Sequence, residues 1–214
     1  MPTQPYRLKD GTPIPGVTTV IAQLGWNKQQ LMWWANQMGL QGKKHREVSQ
    51  KAADAGTIAH AMIDADLKGK EFDASKHPSE LLSLAETSYL NFLEWKKGSD
   101  LQIVGSEIPL ISERYRFGGT IDCPAFIRGK MTILDWKTSN GVYEDYLIQI
   151  AAYGELWKEN KPDQPLQGGF DLLRIAKETG AFHHHHWDSL PGCFDAFLHL
   201  RDLYDLKQQL KKLK

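Results

Sequence analysis

The sequence predicts an α/β protein in which helices flank a mixed central β-sheet, with a helical segment at the amino-terminal end. Two observations carry that prediction. Apolar residues recur at helical spacing as far as Gly98 and then switch to short extended runs bounded by turn residues. The resulting order is helices, three strands, a helix, two strands and a helix, an alternation that packs helices onto a sheet. At 214 residues the chain is long enough to bury one sizeable core. One domain over 1–214 is therefore expected, mainly helical over 1–97, with a sheet core over 98–190 and a final helix over 191–214.

The elements follow in order. "DGTPIPG" reads as an extended arm, because Gly11, Pro13, Pro15 and Gly16 interrupt regular structure. Thr18 or Thr19 can cap a first helix carrying Val20, Ile21 and Leu24, which Gly25 stops. A second runs from Asn27 to about Gly39 with Leu31, Trp34, Ala35 and Met38 on one face. A third spans about Lys43 to Lys68, with Gly56 inside it or at a break, and a fourth about Ser79 to Lys97. "LQIVGSEIPLIS", "RYRFGGTIDCPAFI" and "KMTILDWKTS" are then three strands, the last two joined by the hairpin turn "RGK". "YEDYLIQIAAYGELWKEN" is a helix presenting Tyr146, Ile150 and Tyr153 together. "GGFDLLRIAK" and "AFHHHHWD" are two strands around the turn "ETG", and an amphipathic helix follows Pro191.

Composition excludes several classes. Lysine plus arginine and aspartate plus glutamate stand at 26 each, so no global basic field marks the chain. Basic residues do outnumber acids before Gly56, and Lys43, Lys44 and Arg46 are candidates for a local phosphate-facing surface; a solvated helix face is the alternative. No apolar run is long enough to cross a bilayer, and Met1 to Asp10 carries no export or import signal, so no membrane partner and a cytoplasmic site of action are expected. Two cysteines, Cys123 and Cys193, are too few for a disulfide framework, a four-cysteine zinc site or an iron–sulfur cluster.

The string "GGTIDCPAFIRGKMTILDWKTS" carries the chemistry. Asp122 ends one predicted strand, and Asp135 and Lys137 stand two apart on the next, where the strand period puts them on one face. Burying two carboxylates together is costly unless a cation neutralises them, which points to a hard divalent metal with a lysine beside it. Phosphodiester hydrolysis needs such equipment. For an isolated Asp-x-Lys, a surface ion pair is the commoner outcome, but here Ile133 and Leu134 lead directly into the charges.

Taken in order, "GTIAH", "SE", "GGTID", "ILDWKTS" and "QIAAY" resemble the RecB-type branch of the PD-(D/E)XK nucleases, which includes phage and mitochondrial genome maintenance exonucleases. "PGVTTVI" followed by a Trp-containing helix resembles their amino-terminal part. The resemblance implies a restriction-endonuclease-like core and a DNA-cleaving enzyme using one or two magnesium or manganese ions. Its substrate would be DNA, single-stranded or with free ends, in replication, recombination or repair in a bacterial or phage-infected cell. It assigns Asp122, Asp135 and His60 as metal ligands, Lys137 as the motif lysine, and Gln149 and Tyr153 as the helical pair. A non-catalytic DNA-binding protein on the same fold and a restriction-type endonuclease are the rivals. A homo-oligomer is compatible with the sequence, though no pattern read here shows one.

Each assigned residue also has a reading of its own. His60 and Asp64 lie one turn apart on a helix, where a satisfied polar residue is the ordinary alternative to a ligand. Glu107, sharing a strand face with Gly105 and Pro109, is a ligand or an organiser of Lys137. Gln149 and Tyr153, one turn apart, face the sheet together to hold phosphate or Lys137, with plain packing open for Tyr153. Thr138 and Ser139 bond a phosphate oxygen or close the next turn, and "GGT" before Ile121 admits nucleic acid or bends a strand. His183 to His186 alternate faces and are expected on a half-exposed strand. Trp26, Trp33 and Trp34 could stack on unpaired bases, but core packing is commoner and at most one is expected to be exposed.

Overall fold

The computed structural model describes residues 6–26, 28–139, 141–175 and 181–213. A short arm, β1 (Tyr6–Arg7) with β2 (Pro13–Ile14), leads into α1 (Val17–Ile21), α2 (Lys28–Leu40), α3 (His45–Leu67) and α4 (Ser79–Gly98). Strands β3 (Leu101–Ile103), β4 (Ile108–Ser112), β5 (Phe117–Ile121), β6 (Cys123–Ile127) and β7 (Lys130–Thr138) follow, then α5 (Glu144–Asn160), β8 (Phe170–Ile175), β9 (Phe182–Trp187) and α6 (Cys193–Lys211). The central sheet has the order β3-β6-β7-β8-β9. It is mixed as expected: β7 runs antiparallel to β6 and, through the α5 crossover, parallel to β8.

The first two predicted strands each break in the middle. Residues 101–112 divide into β3 and β4, and 117–127 into β5 and β6, so that β4 and β5 form a separate hairpin. Both breaks fall at one corner. Glu107 sits there outside any strand with φ +54, and its N–H donates to the Asp122 carbonyl at 2.9 Å. A left-handed conformation at a residue with a Cβ costs about 1 kcal/mol, which that bond and the packed hairpin must offset. Alternation across an unbroken strand is thus not what aims Glu107.

Alternation does organise β7. Met131 and Ile133 face α5 and α6 in a core with Ile148, Leu156, Trp157 and Phe197. Leu134 and Trp136 face α3 and α4, packing with Ile63, Leu67 and Phe92. Each such side chain contributes about 2 kcal/mol on burial, so β7 is clamped from both sides. Gly56 lies inside α3, buried.

Several local expectations are corrected. Gly16, not Thr18 or Thr19, precedes the first helical residue, because Val17 is already drawn into the core. Helix α2 buries none of its residues, and Leu31, Met32 and Trp33 are exposed. Trp26 and Trp33 are 63% and 67% exposed, so two tryptophans of that region face solvent where at most one was expected. The "ETG" turn lies outside the described residues. Among the described residues no helix is long and apolar enough to cross a membrane. Cys123 is buried and Cys193 half-buried, both as free thiols.

The four histidines staple the edge strand. His183 and His185 stack in line with Trp187, while His184 and His186 turn inward onto Asp171 of β8. Trp95 Nε1 donates to His184 Nδ1 at 3.2 Å, which leaves Nε2–H of His184 to donate to Asp171 Oδ1 at 2.7 Å. Thr132 donates to the other carboxylate oxygen at 2.6 Å. Burial works against ionising Asp171, yet the bonds from His184, Thr132 and His186 outweigh it and hold its pKa below the usual carboxylate value. Its contribution is present above pH ~4 and is lost as pH falls. Asp171→Asn is expected to cost roughly 1–3 kcal/mol at pH 7, read as a lower urea midpoint; an unchanged midpoint would show that the staple carries no stability.

Candidate metal centre

Strand β7 delivers the first two groups. Asp135 and Lys137, two residues apart, emerge on the α5 face where Met131 and Ile133 precede them, and Lys137 Nζ lies 2.6 Å from Asp135 Oδ2. The register Cys123↔Leu134 sets Asp122 beside Asp135, and the Trp136 N–H reaches Asp122 Oδ2 at 3.4 Å. From the other side α3 brings His60, whose Nδ1 lies 3.9 Å from that same oxygen and whose ring leans on Trp136. Glu107 closes the group from the corner. One ligand atom each from His60, Glu107 and Asp122 lies within 4.8 Å of the others.

The electrostatics are those of an incompletely neutralised site. Asp135 is fully buried and Asp122 nearly so. Burial is the largest influence on both, and it outweighs the nearby Lys137 ammonium; Asp122 is pushed up to about 6 and Asp135 to about 7. Glu107 is raised as well, by burial and then by the charge of Asp64. Burial opposes the charge on Lys137, but Asp135 and Asp122 together raise it, so this lysine stays an ammonium. Both Asp135 oxygens lack a well-directed hydrogen bond, and Oδ2 has the Lys137 ammonium at 2.6 Å. Buried carboxylate oxygens left in this state fit a hard divalent cation, with the Glu107 carboxylate and His60 imidazole completing an oxygen-rich donor set.

Other predicted residues fall at graded distances from this group. Asp64 is engaged elsewhere, accepting from Ser106 Oγ at 2.5 Å and pairing with Lys68 at 2.7 Å. Gln149 Nε2 donates to the Tyr153 hydroxyl at 2.7 Å, and burial together with the charges of Asp122 and Asp135 lifts the Tyr153 pKa well above its ordinary value. Tyr153 and Glu107 line a cleft of about 510 Å³ with Tyr6, Thr120 and Gly119. A second cleft, of about 320 Å³, joins Gln149 to Trp26, Lys28 and Leu31. Ser139 spends its hydroxyl on the Gly141 carbonyl at 2.8 Å, closing a turn, while Thr138 ends β7. Lys43, Lys44 and Arg46 are exposed around the start of α3. Along the helix axis Arg46 is roughly 21 Å from His60, so these bases are not part of the centre.

The two glycines of "GGT" make room for side chains. A Cβ on Gly118 would run into the Tyr6 ring, and one on Gly119 would come within 2.8 Å of Tyr153 Cε1. Sequence reading placed Tyr146 on one helix face with Ile150 and Tyr153 but gave it no chemical role; its ring lies 5.5 Å from Lys137 Nζ. Its position one turn before Gln149 was the available signal.

A five-stranded mixed sheet flanked by helices, with an acidic group and a lysine at the end of a central strand, defines a fold and site shared by metal-dependent nucleases. The model of the PD-(D/E)XK nuclease superfamily matches residues 31–211, and the chain belongs to that superfamily. No curated protein matches the sequence. Among solved structures, a candidate exonuclease from Eubacterium rectale superposes with a TM-score of 0.48 at 14% identity, over 72% of this chain. The matched part is 65% of the length of that protein. The structure of SSO0001 superposes with a TM-score of 0.32 at 15% identity, over 83% of this chain and 84% of that one.

Proposed function

We propose that this chain is a magnesium- or manganese-dependent deoxyribonuclease of the RecB-like type that acts on DNA ends or single strands. The observation that carries the proposal is the sealed pair Asp122 and Asp135 with Lys137 at 2.6 Å and an imidazole and a glutamate at its open side. A divalent ion held by Asp122, Asp135, His60 and Glu107 would polarise the scissile phosphate and lower the pKa of a water. The residues do the rest. Lys137, kept charged by its neighbours, offsets the negative charge that grows on the phosphate and orients the attacking oxygen. Gln149 holds the Tyr153 hydroxyl toward the same space, a pairing suited to fixing a phosphate oxygen. Trp136 anchors from beneath, through its backbone bond to Asp122 and its ring against His60.

The preference for unpaired DNA is supported by the cleft that runs from Gln149 to the exposed Trp26 and Lys28, since an open indole beside a cation suits stacking of free bases. Incubation of end-labelled linear DNA and circular single-stranded DNA with magnesium, and separately with manganese, tests the reading. Release of nucleotides from linear DNA with circles left intact is the expected result. Cut circles would make it an endonuclease, and no cleavage with either metal would overturn the enzyme. Gly119→Ala is expected to lower cleavage about tenfold and to cost roughly 1–3 kcal/mol of stability, because the new methyl displaces the Tyr153 ring that Gln149 aims and presses on Leu156 and Val17; unchanged kinetics in the folded variant would remove Tyr153 from the machinery.

A further inference from the structure

Helix α6 has two faces with opposite fates. Phe197 and Arg201 are buried, and Tyr204 and Gln208 are half-buried; these four fall within about 60° on the helical wheel. Leu203, Leu206 and Leu210 are 49%, 53% and 61% exposed and point the opposite way, with Leu213 at 81% just past the helix end. Their spacing of three, four and three residues is the a/d seam of a coiled coil, held by a helix whose other side is already committed to the body. A run of leucines in that register, directed straight into solvent, needs a second helix to cover it.

The charges beside the seam select that helix. Asp202 precedes the first a position and Lys207 follows the first d position, which makes them g and e residues five apart. In a parallel pair of identical helices, g of one chain meets the e position five residues on in the other, so Asp202 of each copy would face Lys207 of its mate. In an antiparallel pair that stacks the same leucines, Leu203 over Leu213 and Leu206 over Leu210, Lys207 of one copy would face Lys207 of the other. We infer that α6 is a self-association surface, on which a second copy of this chain docks through a parallel two-helix seam of Leu203, Leu206 and Leu210 with Asp202 and Lys207 pairing across it. Lys207 now donates to Gln23 at 2.8 Å, an exposed bond that it exchanges for the partner carboxylate. The seam is short, so association is weak, and the surface is independent of the metal centre and of the proposed reaction.

Sedimentation velocity of the full chain over about a hundredfold range of micromolar concentrations is the test. The expected result is a mass rising from one chain toward two. Asp202→Lys and Lys207→Asp should each weaken self-association at least about tenfold. Mixing the two variants should restore a dimer, because each variant alone sets like charges across both flanks of the parallel pair and the mixed pair sets opposite ones. Leu206→Asp should abolish association. A mass of one chain at every concentration overturns the inference, and so does association that is indifferent to the charge reversals or is not rescued by mixing.

Discussion

Asp135→Asn is expected to lower DNA cleavage by about a thousandfold or more while leaving the metal-free protein more stable than its parent at pH 8. The activity loss follows from removing a buried ligand and the partner of Lys137, a combined effect of the size seen when a group acting on transition-state charge is deleted. The gain in stability has a separate origin. Burial lifts the Asp135 pKa to about 7, so at pH 8 the folded chain must hold this carboxylate ionised against its surroundings. Each unit of that lift costs about 1.4 kcal/mol. The neutral amide removes that cost, and Asp122 remains as a counter-charge for Lys137, so the balance is a net gain. Lys137→Met should match the activity loss but destabilise the fold, since Asp122 and Asp135 would lose their cation. Chemical denaturation beside the cleavage assay separates the cases. An ion pair kept only for structure would lose stability in both variants and activity in neither.

The second large effect concerns metal and pH. Asp122 and Asp135 have folded-state values raised from 3.8 to about 6 and about 7. The folded state therefore keeps protons that the unfolded state has released, and the metal-free chain loses stability as pH rises from about 4 through 7. A divalent ion binds the ionised carboxylates and stabilises the folded state by mass action. Magnesium or manganese should raise the melting temperature little at pH 5 and by several degrees at pH 8. A melting temperature indifferent to both metals, or a shift of equal size at every pH, would count against a metal site at these two carboxylates.

Much of the fold was legible because periodicity carries it. The long helices and β7 announced themselves by spacing, and a mixed sheet followed from the order of helices and strands. What could not be read was the corner. Nothing in "GSEIPL" or "TIDCPA" says that both strands break, because the cause is a tertiary bond between the Glu107 amide and the Asp122 carbonyl. The local pair Asp135 and Lys137 came from strand alternation alone, whereas the approach of His60 depends on how α3 crosses the sheet. Tyr146 was read as a residue of a helix face and given no chemical role, because its partner, Lys137, lies on another element. The fate of α2 was misjudged since its apolar residues have the spacing of a core helix, and spacing cannot tell whether a core is within reach.

The N-terminal arm lies far from the charged groups in sequence and yet bears on them. Tyr6 rests over Gly118 and bonds the Thr120 hydroxyl at 2.9 Å, and the Gly118 amide donates to the Pro15 carbonyl at 3.0 Å, so the arm braces the β4–β5 hairpin. Glu107 and Asp122 bracket that hairpin at the seam where it leaves the main sheet, whereas Asp135 belongs to the main sheet itself. The carboxylate donors are thus divided between two separately hydrogen-bonded bodies, with the His60 imidazole arriving on α3, and their spacing is inherited from how those parts are wedged together. Changes in residues 6–16 can accordingly retune the cation's cradle without touching any atom that would hold it.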